Sequence, residues 1–366
     1  MRIDRRTFLN GLAASGAFAL GSRLSPATAQ GGADFSGQTI EFVIPFAEGG
    51  GTDVWGRFFA PYLTKHLPGN PDVIIRNMPG AGTITGANDF ALRARPDGLT
   101  LLGTGGSTHF SYLLDDPRVR YSYTDLIPVL ASPTGGVVYI PAEFDVADAS
   151  QLGKLTDREL VFGSQGAISL DLVPMLAFLV LGLDVRHVFG MTGRSDGRLA
   201  FERGEATIDY QTTAAYQASV QPMVDAGNAV PLFTWGVLDA QGQVQRDPTF
   251  PDIPHFVEAY EMMHGRPPEG IEYDAYIAFF APGFAAQKIA LLQKDTPPEI
   301  VETYRQAFID AVADPELQAA KGDILGEYEQ AAGEDIDAVY KIATTIDPAA
   351  RDWVKEYVAT NHRVTF

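Results

Sequence analysis

IEFVIPFAEGGGTDVWGRFFAPYLTKHL, residues 40–67, decides the fold. Residues 40–45 are an apolar run that ends in Phe46-Ala47-Glu48 and then Gly49, Gly50 and Gly51. Apolar side chains recur at Val54, Trp55, Phe58, Phe59, Tyr62, Leu63 and Leu67, a helical period. Thr52 and Asp53 stand where N-cap residues belong, and Pro61 is expected to kink or break the helix. The stretch reads as a strand, a glycine turn and the start of a helix. Glycines let the chain turn sharply and leave backbone N–H groups uncovered, and the helix dipole adds partial positive charge there. Such a site suits a phosphate or carboxylate. The loop lacks the spaced glycines of a dinucleotide fingerprint and the lysine of a P-loop.

The pattern repeats downstream. Residues 71–75 form a short strand leading into Asn77-Met78-Pro79-Gly80-Ala81-Gly82 and a helix over 83–94. Arg95-Pro96-Asp97-Gly98 is a turn by its chemistry, residues 99–102 are a strand, and Gly103–Thr108 lead into a helix over 109–114. In a parallel sheet such loops all leave from the carboxyl ends of their strands and gather on one edge. A second α/β unit begins near Thr134. Its strands are expected at 137–140, 160–162, 184–189, 206–211 and 230–233, its helices at 151–157, 170–181, 213–226 and up to Arg203, and its glycine-serine loop at 163–169. Residues 241–266 read as a polar connection, 273–281 as the last strand, and 298–314, 336–346 and 349–360 as helices.

Composition bounds the function. Arg5-Arg6-Thr7-Phe8-Leu9, an apolar run over 11–20 and Ala27-Thr28-Ala29 form a twin-arginine export signal, residues 1–29, with cleavage expected after Ala29. The chain has no Cys, which excludes disulfides, a thioether-linked lipid anchor and thiol chemistry. No later stretch is long and apolar enough to span a bilayer, so the mature protein is expected to be soluble and periplasmic. The signal holds Arg2, Arg5, Arg6 and Arg23 against Asp4, which leaves 23 basic and 45 acidic residues, a net charge of −22. That excludes nucleic acid as a partner. The six histidines show no metal-ligand spacing, and no metal or cofactor is expected.

Pro45–Asp53, Asn77–Gly82 and Pro96-Asp97-Gly98-Leu99-Thr100-Leu101-Leu102, in that order, resemble the periplasmic solute-binding proteins of tripartite tricarboxylate transporters, the TctC or Bug family. Gly163-Ser164-Gln165-Gly166, Gly204-Glu205-Ala206-Thr207-Ile208-Asp209, Pro251-Asp252-Ile253-Pro254 and Phe280-Ala281-Pro282 resemble its later landmarks. The resemblance implies an α/β, two-lobed periplasmic-binding-protein fold of type II character. Each lobe would be a mostly parallel sheet flanked by helices, with the ligand cleft between them. Lobe 1 would hold residues 30–133 and 234–366, and lobe 2 residues 134–233. It further implies a monomer that binds a small organic carboxylate and serves a two-component membrane permease. Carried over residue by residue, lobe 1 would contribute Phe46, Ala47, Gly50, Gly51, Thr52, Asp53, Gly82, Thr104, Gly106, Ser107 and Thr108. Lobe 2 would contribute Ser164, Gln165, Gly166, Ala167, Ser169, Asp209, Gln211 and Thr212. The family's tyrosine-lysine-glycine stretch is Val188-Phe189-Gly190 here, and Glu48 stands where a small residue is common. Both departures remove positive charge near the cleft, so monocarboxylates, aromatic or alkyl acids and citrate-like acids all remain open.

One enzyme reading competes. Gly193-Arg194-Ser195-Asp196-Gly197 fits the G-x-S-x-G pattern of a nucleophile elbow, with His255, His264 and His362 downstream. The pattern arises often by chance in a glycine-rich chain. His109 reads as an ordinary helix-start residue or as a carboxylate donor, His187 as a satisfied core residue, and Arg194 and Arg198 as solvated surface residues ahead of a source of charge for the cleft.

Overall fold

A computed structural model describes residues 32–366 apart from 240 and 241; the expected signal and its cleavage point lie outside the described residues. The first half runs β1 (Thr39–Ile44), α1 (Gly51–His66), β2 (Asp72–Asn77), α2 (Ile84–Arg93), β3 (Thr100–Thr104), α3 (Gly106–Leu113), β4 (Leu126–Ser132), β5 (Gly136–Pro141), β6 (Leu160–Ser164), α4 (Leu172–Leu181), β7 (Val185–Phe189), α5 (Arg194–Glu202) and β8 (Asp209–Thr212). It continues with the short helices α6 (Thr213–Ala215) and α7 (Gln221–Asp225), β9 (Ala229–Thr234), the small hairpin β10 (Val237–Leu238) and β11 (Val244–Gln245), α8 (Phe256–His264) and α9 (Ile271–Phe280). The chain then returns through β12 (Lys288–Gln293) to α10 (Pro298–Ala313), α11 (Pro315–Ala320), α12 (Gly322–Leu325), α13 (Ile336–Thr344) and α14 (Pro348–His362).

The first sheet has the order β2-β1-β3-β12-β4. β1, β2 and β3 are parallel, and β12 enters antiparallel between β3 and β4. Ile40, Phe42 and Ile44 pack on one face with Trp55, Phe59 and Phe308, while Val43 and Leu102 pack on the other with Phe90 and Ile336. Burial on both faces is why β1 reads as a continuous apolar run. α1 is one uninterrupted helix that contains Pro61. Pro61 lies on the exposed side, where water can satisfy the carbonyl that proline frees. The N-cap is Gly50, with no side-chain cap, so Thr52 and Asp53 already belong to the first turn. The indole Nε1 of Trp55 donates to Ser132 Oγ at 2.8 Å and ties α1 to the end of β4.

The second sheet differs from expectation. β8, β5 and β9 form a three-stranded antiparallel sheet, and β6 and β7 form a separate parallel pair. β5 is reached by a direct crossing from β4 rather than through a strand–helix–strand crossover, so nothing enforces parallel pairing. The N–H of Thr207 donates to Val161 O at 2.8 Å and carries β6 alongside the entry to β8.

Two readings of the third quarter are corrected. Residues 273–281, expected as a strand, lie mostly in α9. That helix packs against both α4 and α14, so it is apolar nearly all round and mimics a buried strand. The returning strand is instead β12. The expected connection over 241–266 contains α8, which opens with a capping box between His255 and Glu258.

Gly103 lies under α1: a Cβ there would meet Ile44 Cδ1 at 2.5 Å and Trp55 Cζ3 at 3.1 Å. Gly103→Val should lower the unfolding free energy by about 1–3 kcal/mol through overpacking, read from urea denaturation.

Candidate functional site

The carboxyl ends of β1, β2 and β3 bring three loops together. In α1 the first helical bond runs from Val54 N–H to Gly50 O, so the N–H groups of Gly51, Thr52 and Asp53 have no acceptor in their own helix. α3 begins likewise: Thr108 and His109 donate to Gly105 O, which leaves Gly106 and Ser107 without a helical acceptor. The two helix starts touch, because a Cβ on Gly105 would lie 3.0 Å from Phe46 Cζ and 3.1 Å from Thr52 Oγ1. Asn77 Nδ2 donates to Phe46 O at 3.0 Å and to Asp53 Oδ1 at 2.9 Å, which fastens the second loop to the first. Gly80, Ala81, Gly82 and Thr83 then form a run of positive φ (133°, 49°, 67° and 86°). Two of these are not glycine, and the Oγ1 of Thr83 is buried without a partner; strain of this kind collects at functional loops.

Asp53 organises the first loop. Its carboxylate accepts from Gly49 N–H at 2.8 Å and from Arg57 Nε at 3.0 Å. Burial pushes its pKa up, but Arg57, the Gly49 N–H and Asn77 outweigh it and hold the group below the usual range. It stays ionised and shapes the turn.

The loop after β6 faces these helix starts. Leu170 N–H donates to Ser107 Oγ at 3.1 Å, and Leu170 Cδ1 would lie 2.7 Å from a Cβ on Gly106. Inside this loop Gln165 N–H donates to Asp171 Oδ2 at 2.7 Å, Gly166 N–H to Ser164 Oγ at 3.2 Å, and Ser169 Oγ to Gly166 O at 2.7 Å. Phe46, Ala47, Gly50, Gly51, Thr52, Gly106, Ser107, Gln165, Gly166, Ala167 and Ser169 thus lie on loops that meet or adjoin, whereas Gly82 is exposed on the second loop. Thr104 and Thr108 are buried, and Thr108 Oγ1 has no partner.

The model of the tripartite tricarboxylate transporter family receptor matches residues 57–331 of this chain. The chain belongs to this receptor family. A UPF0065 protein of Bordetella pertussis is 29% identical over 262 residues, covering 68% of this chain and 72% of that protein. A Rhodopseudomonas palustris structure with adipate superimposes with a TM-score of 0.64 at 19% identity, covering 89% of this chain and 98% of that one. The MatC protein of the same organism, with bound malate, gives 0.59 at 20% identity over 89% and 98%. The chain therefore has a two-lobed periplasmic-binding-protein fold. Periplasmic location is that of the family, and among the described residues no helix is long and apolar enough to cross a membrane.

In this family receptor Arg194 is not a surface residue. Its side chain is 11% exposed and bonds Asp171 at 3.1 Å and Asp209, both of which are fully buried. The guanidinium also lies 4.9 Å from the Phe162 ring centroid and 4.5 Å from that of Tyr210. Burial opposes its charge, but Asp171 and Asp209 keep its pKa above the ordinary value. Tyr139 Oη and Gln211 Nε2 donate to Asp209, while Tyr210 Oη donates to Asp171. Asp209 and Gln211 are therefore committed beneath the loop, and Thr212 is half-buried at the end of β8. Arg198, by contrast, pairs with Glu202 near the surface. Sequence reading missed this network because its members meet only in three dimensions.

Ser195 is exposed at the start of α5, and no histidine bonds it among the described residues. His255 caps α8, His264 Nε2 lies 3.3 Å from Leu181 O, and His362 lies 3.4 Å from Tyr357 Oη. His109 is fully buried between Thr104 Oγ1 and Pro282 O, each at 3.1 Å, and burial pushes its pKa down to about 4. His187 is half-buried and its Nδ1 has no partner, so it is not the satisfied core residue expected.

Arg194→Ala should cost about 3–5 kcal/mol, because it strands two buried carboxylates, whereas Arg198→Ala should cost under about 1 kcal/mol; denaturant titration separates them. His109 titrates near 4 when folded and near 6.5 when unfolded, so acid favours the unfolded chain. Stability should therefore fall as pH drops from about 6.5 to 4, by up to about 1 kcal/mol per pH unit for this group. His109→Asn should remove that share of the slope in denaturation curves taken across this range.

Proposed function

We propose that the protein is a periplasmic receptor that captures a small organic carboxylate between its lobes and delivers it to a two-component membrane permease. The observation that carries this reading is the meeting of two helix starts, at Gly51–Asp53 and Gly106–Ser107, with the loop of the other lobe through the Leu170–Ser107 bond. Unpaired backbone donors at two adjacent helix starts are matched by a carboxylate's lone pairs. Loops from both lobes can close on the ligand only when the lobes approach, so binding favours the closed form. Relatives of this fold are held with malate and adipate, which supports a carboxylate as the cargo. Lobe 1 would hold residues 30–133 and 234–366 and lobe 2 residues 134–233, with α8 and α9 packed against the second lobe. The protein acts as a monomer, exported as a twin-arginine substrate.

A serine hydrolase is the weaker reading, since Ser195 has no histidine partner among the described residues and Asp196 is committed to Thr192 N–H at 2.8 Å. Calorimetry with mono-, di- and tricarboxylates on stripped protein tests the proposal. One class should bind, Ser107→Ala should weaken it about tenfold or less, in keeping with one hydrogen bond, and Ser195→Ala should leave it unchanged. Absence of binding by any acid, together with labelling of Ser195 by a serine-directed probe, would overturn it.

A further inference from the structure

Lys288 opens β12. Ile289 pairs with Thr104 of β3, and Lys288 pairs with Ser132 of β4. Because β12 runs antiparallel to its neighbours, its first residue lies at the edge from which the loops after β1 and β3 leave. Directly opposed residues of an antiparallel pair put their side chains on one face. Ser132 Oγ receives the Trp55 indole at 2.8 Å, so that face is the one α1 covers. Strand alternation agrees, since Ala290 and Leu292 pack in one cluster with Trp55 and Phe59. Lys288 therefore stands between the sheet edge and the first half of α1, the helix whose start carries the candidate site.

Its chemistry is out of place there. Lys288 is 8% exposed, and its side chain makes no hydrogen bond or ion pair with any described residue. Burial lowers its pKa to about 8, and no neighbouring charge offsets the effect. Its ammonium is not among the fully enclosed unpaired polar atoms, so the tip is not wholly sealed from its surroundings. Lys65 pairs with Asp314 and Glu316, and Lys294 with Asp125. In a chain with 46 acidic residues a partner was available in abundance. A buried ammonium without a counter-charge is costly to keep, and a structural lysine would have gained one.

We infer that Lys288 is the cation that receives a carboxylate of the bound ligand, a specificity-determining contact at the floor of the site. The inference rests on the receptor reading above. It explains how a strongly acidic protein without a lysine at Val188 can hold an anion: backbone donors orient the ligand, and Lys288 supplies the opposite charge. A cation there favours an acid over its neutral amide.

Calorimetry with adipate and malate on wild type, Lys288→Met, Lys288→Gln and Lys288→Arg tests this, with melting temperatures taken without ligand. The neutral variants should lose at least tenfold in affinity for the acid that wild type binds, and Lys288→Arg should retain more of it than either. Without ligand, Lys288→Met should melt at the same temperature as wild type or higher, because a buried unpaired charge has been removed. Unchanged affinity in both neutral variants, or a lower melting temperature with unchanged affinity, would make Lys288 structural and overturn the inference alone. A wild-type protein that binds no acid in the wider panel would overturn the receptor reading and this inference with it.

Discussion

A helix start leaves backbone N–H groups that no carbonyl of its own helix can reach, and this protein places two of them side by side on one sheet edge. Some of the loop donors are satisfied from within. Asp53 takes Gly49, Asp171 takes Gln165 and Asp196 takes Thr192. The same device thus recurs in three loops: an aspartate a few residues downstream accepts from the turn and holds it in shape. The donors of Gly51–Asp53 and Gly106–Ser107 lie outside this arrangement, and the rest of the structure can be understood as holding them in place.

The holding is done by charge as well as by packing. Arg194 lies beneath the loop after β6 with Asp171 and Asp209, sandwiched near two aromatic rings. Two carboxylates against one guanidinium leave a negative balance, relieved by hydroxyl and amide donors from Tyr139, Tyr210 and Gln211. Burial also raises the pKa of Asp209. An arrangement of this kind is weak evidence for stability, since apolar replacement of a whole buried pair is often tolerated. Its value here is geometric: Asp171 fixes the loop from Gln165 to Leu170, and that loop meets Ser107.

Legibility in the sequence followed the range of the interactions. The glycine loops after β1, β2 and β3 are local chemistry, so their sequence alone located them, and the helix of residues 298–313 was marked by its prolines and apolar period. The parallel core of the first sheet was legible for the same reason. The strand at 288–293 escaped because the aromatic run at 273–281 imitates a buried strand better than it does. Arg194 was misread because its partners lie 23 and 15 residues away, and no local pattern distinguishes a buried arginine from an exposed one. The antiparallel sheet β8-β5-β9 was missed because pairing direction depends on how the chain reaches β5 from β4. Asp53 was placed at the right loop with the wrong task, as a cap rather than as the acceptor for Gly49.

The central claim is that a carboxylate sits on the joined helix starts of α1 and α3. Amide NMR on the ¹⁵N-labelled protein during titration with adipate, malate and their neutral amides reads this position directly. The account predicts that the Gly51, Thr52, Gly106 and Ser107 amides move downfield with the acid and not with the amide, as N–H groups that gain a charged acceptor. Saturable shifts confined to other surfaces, with these four amides unmoved, would contradict it.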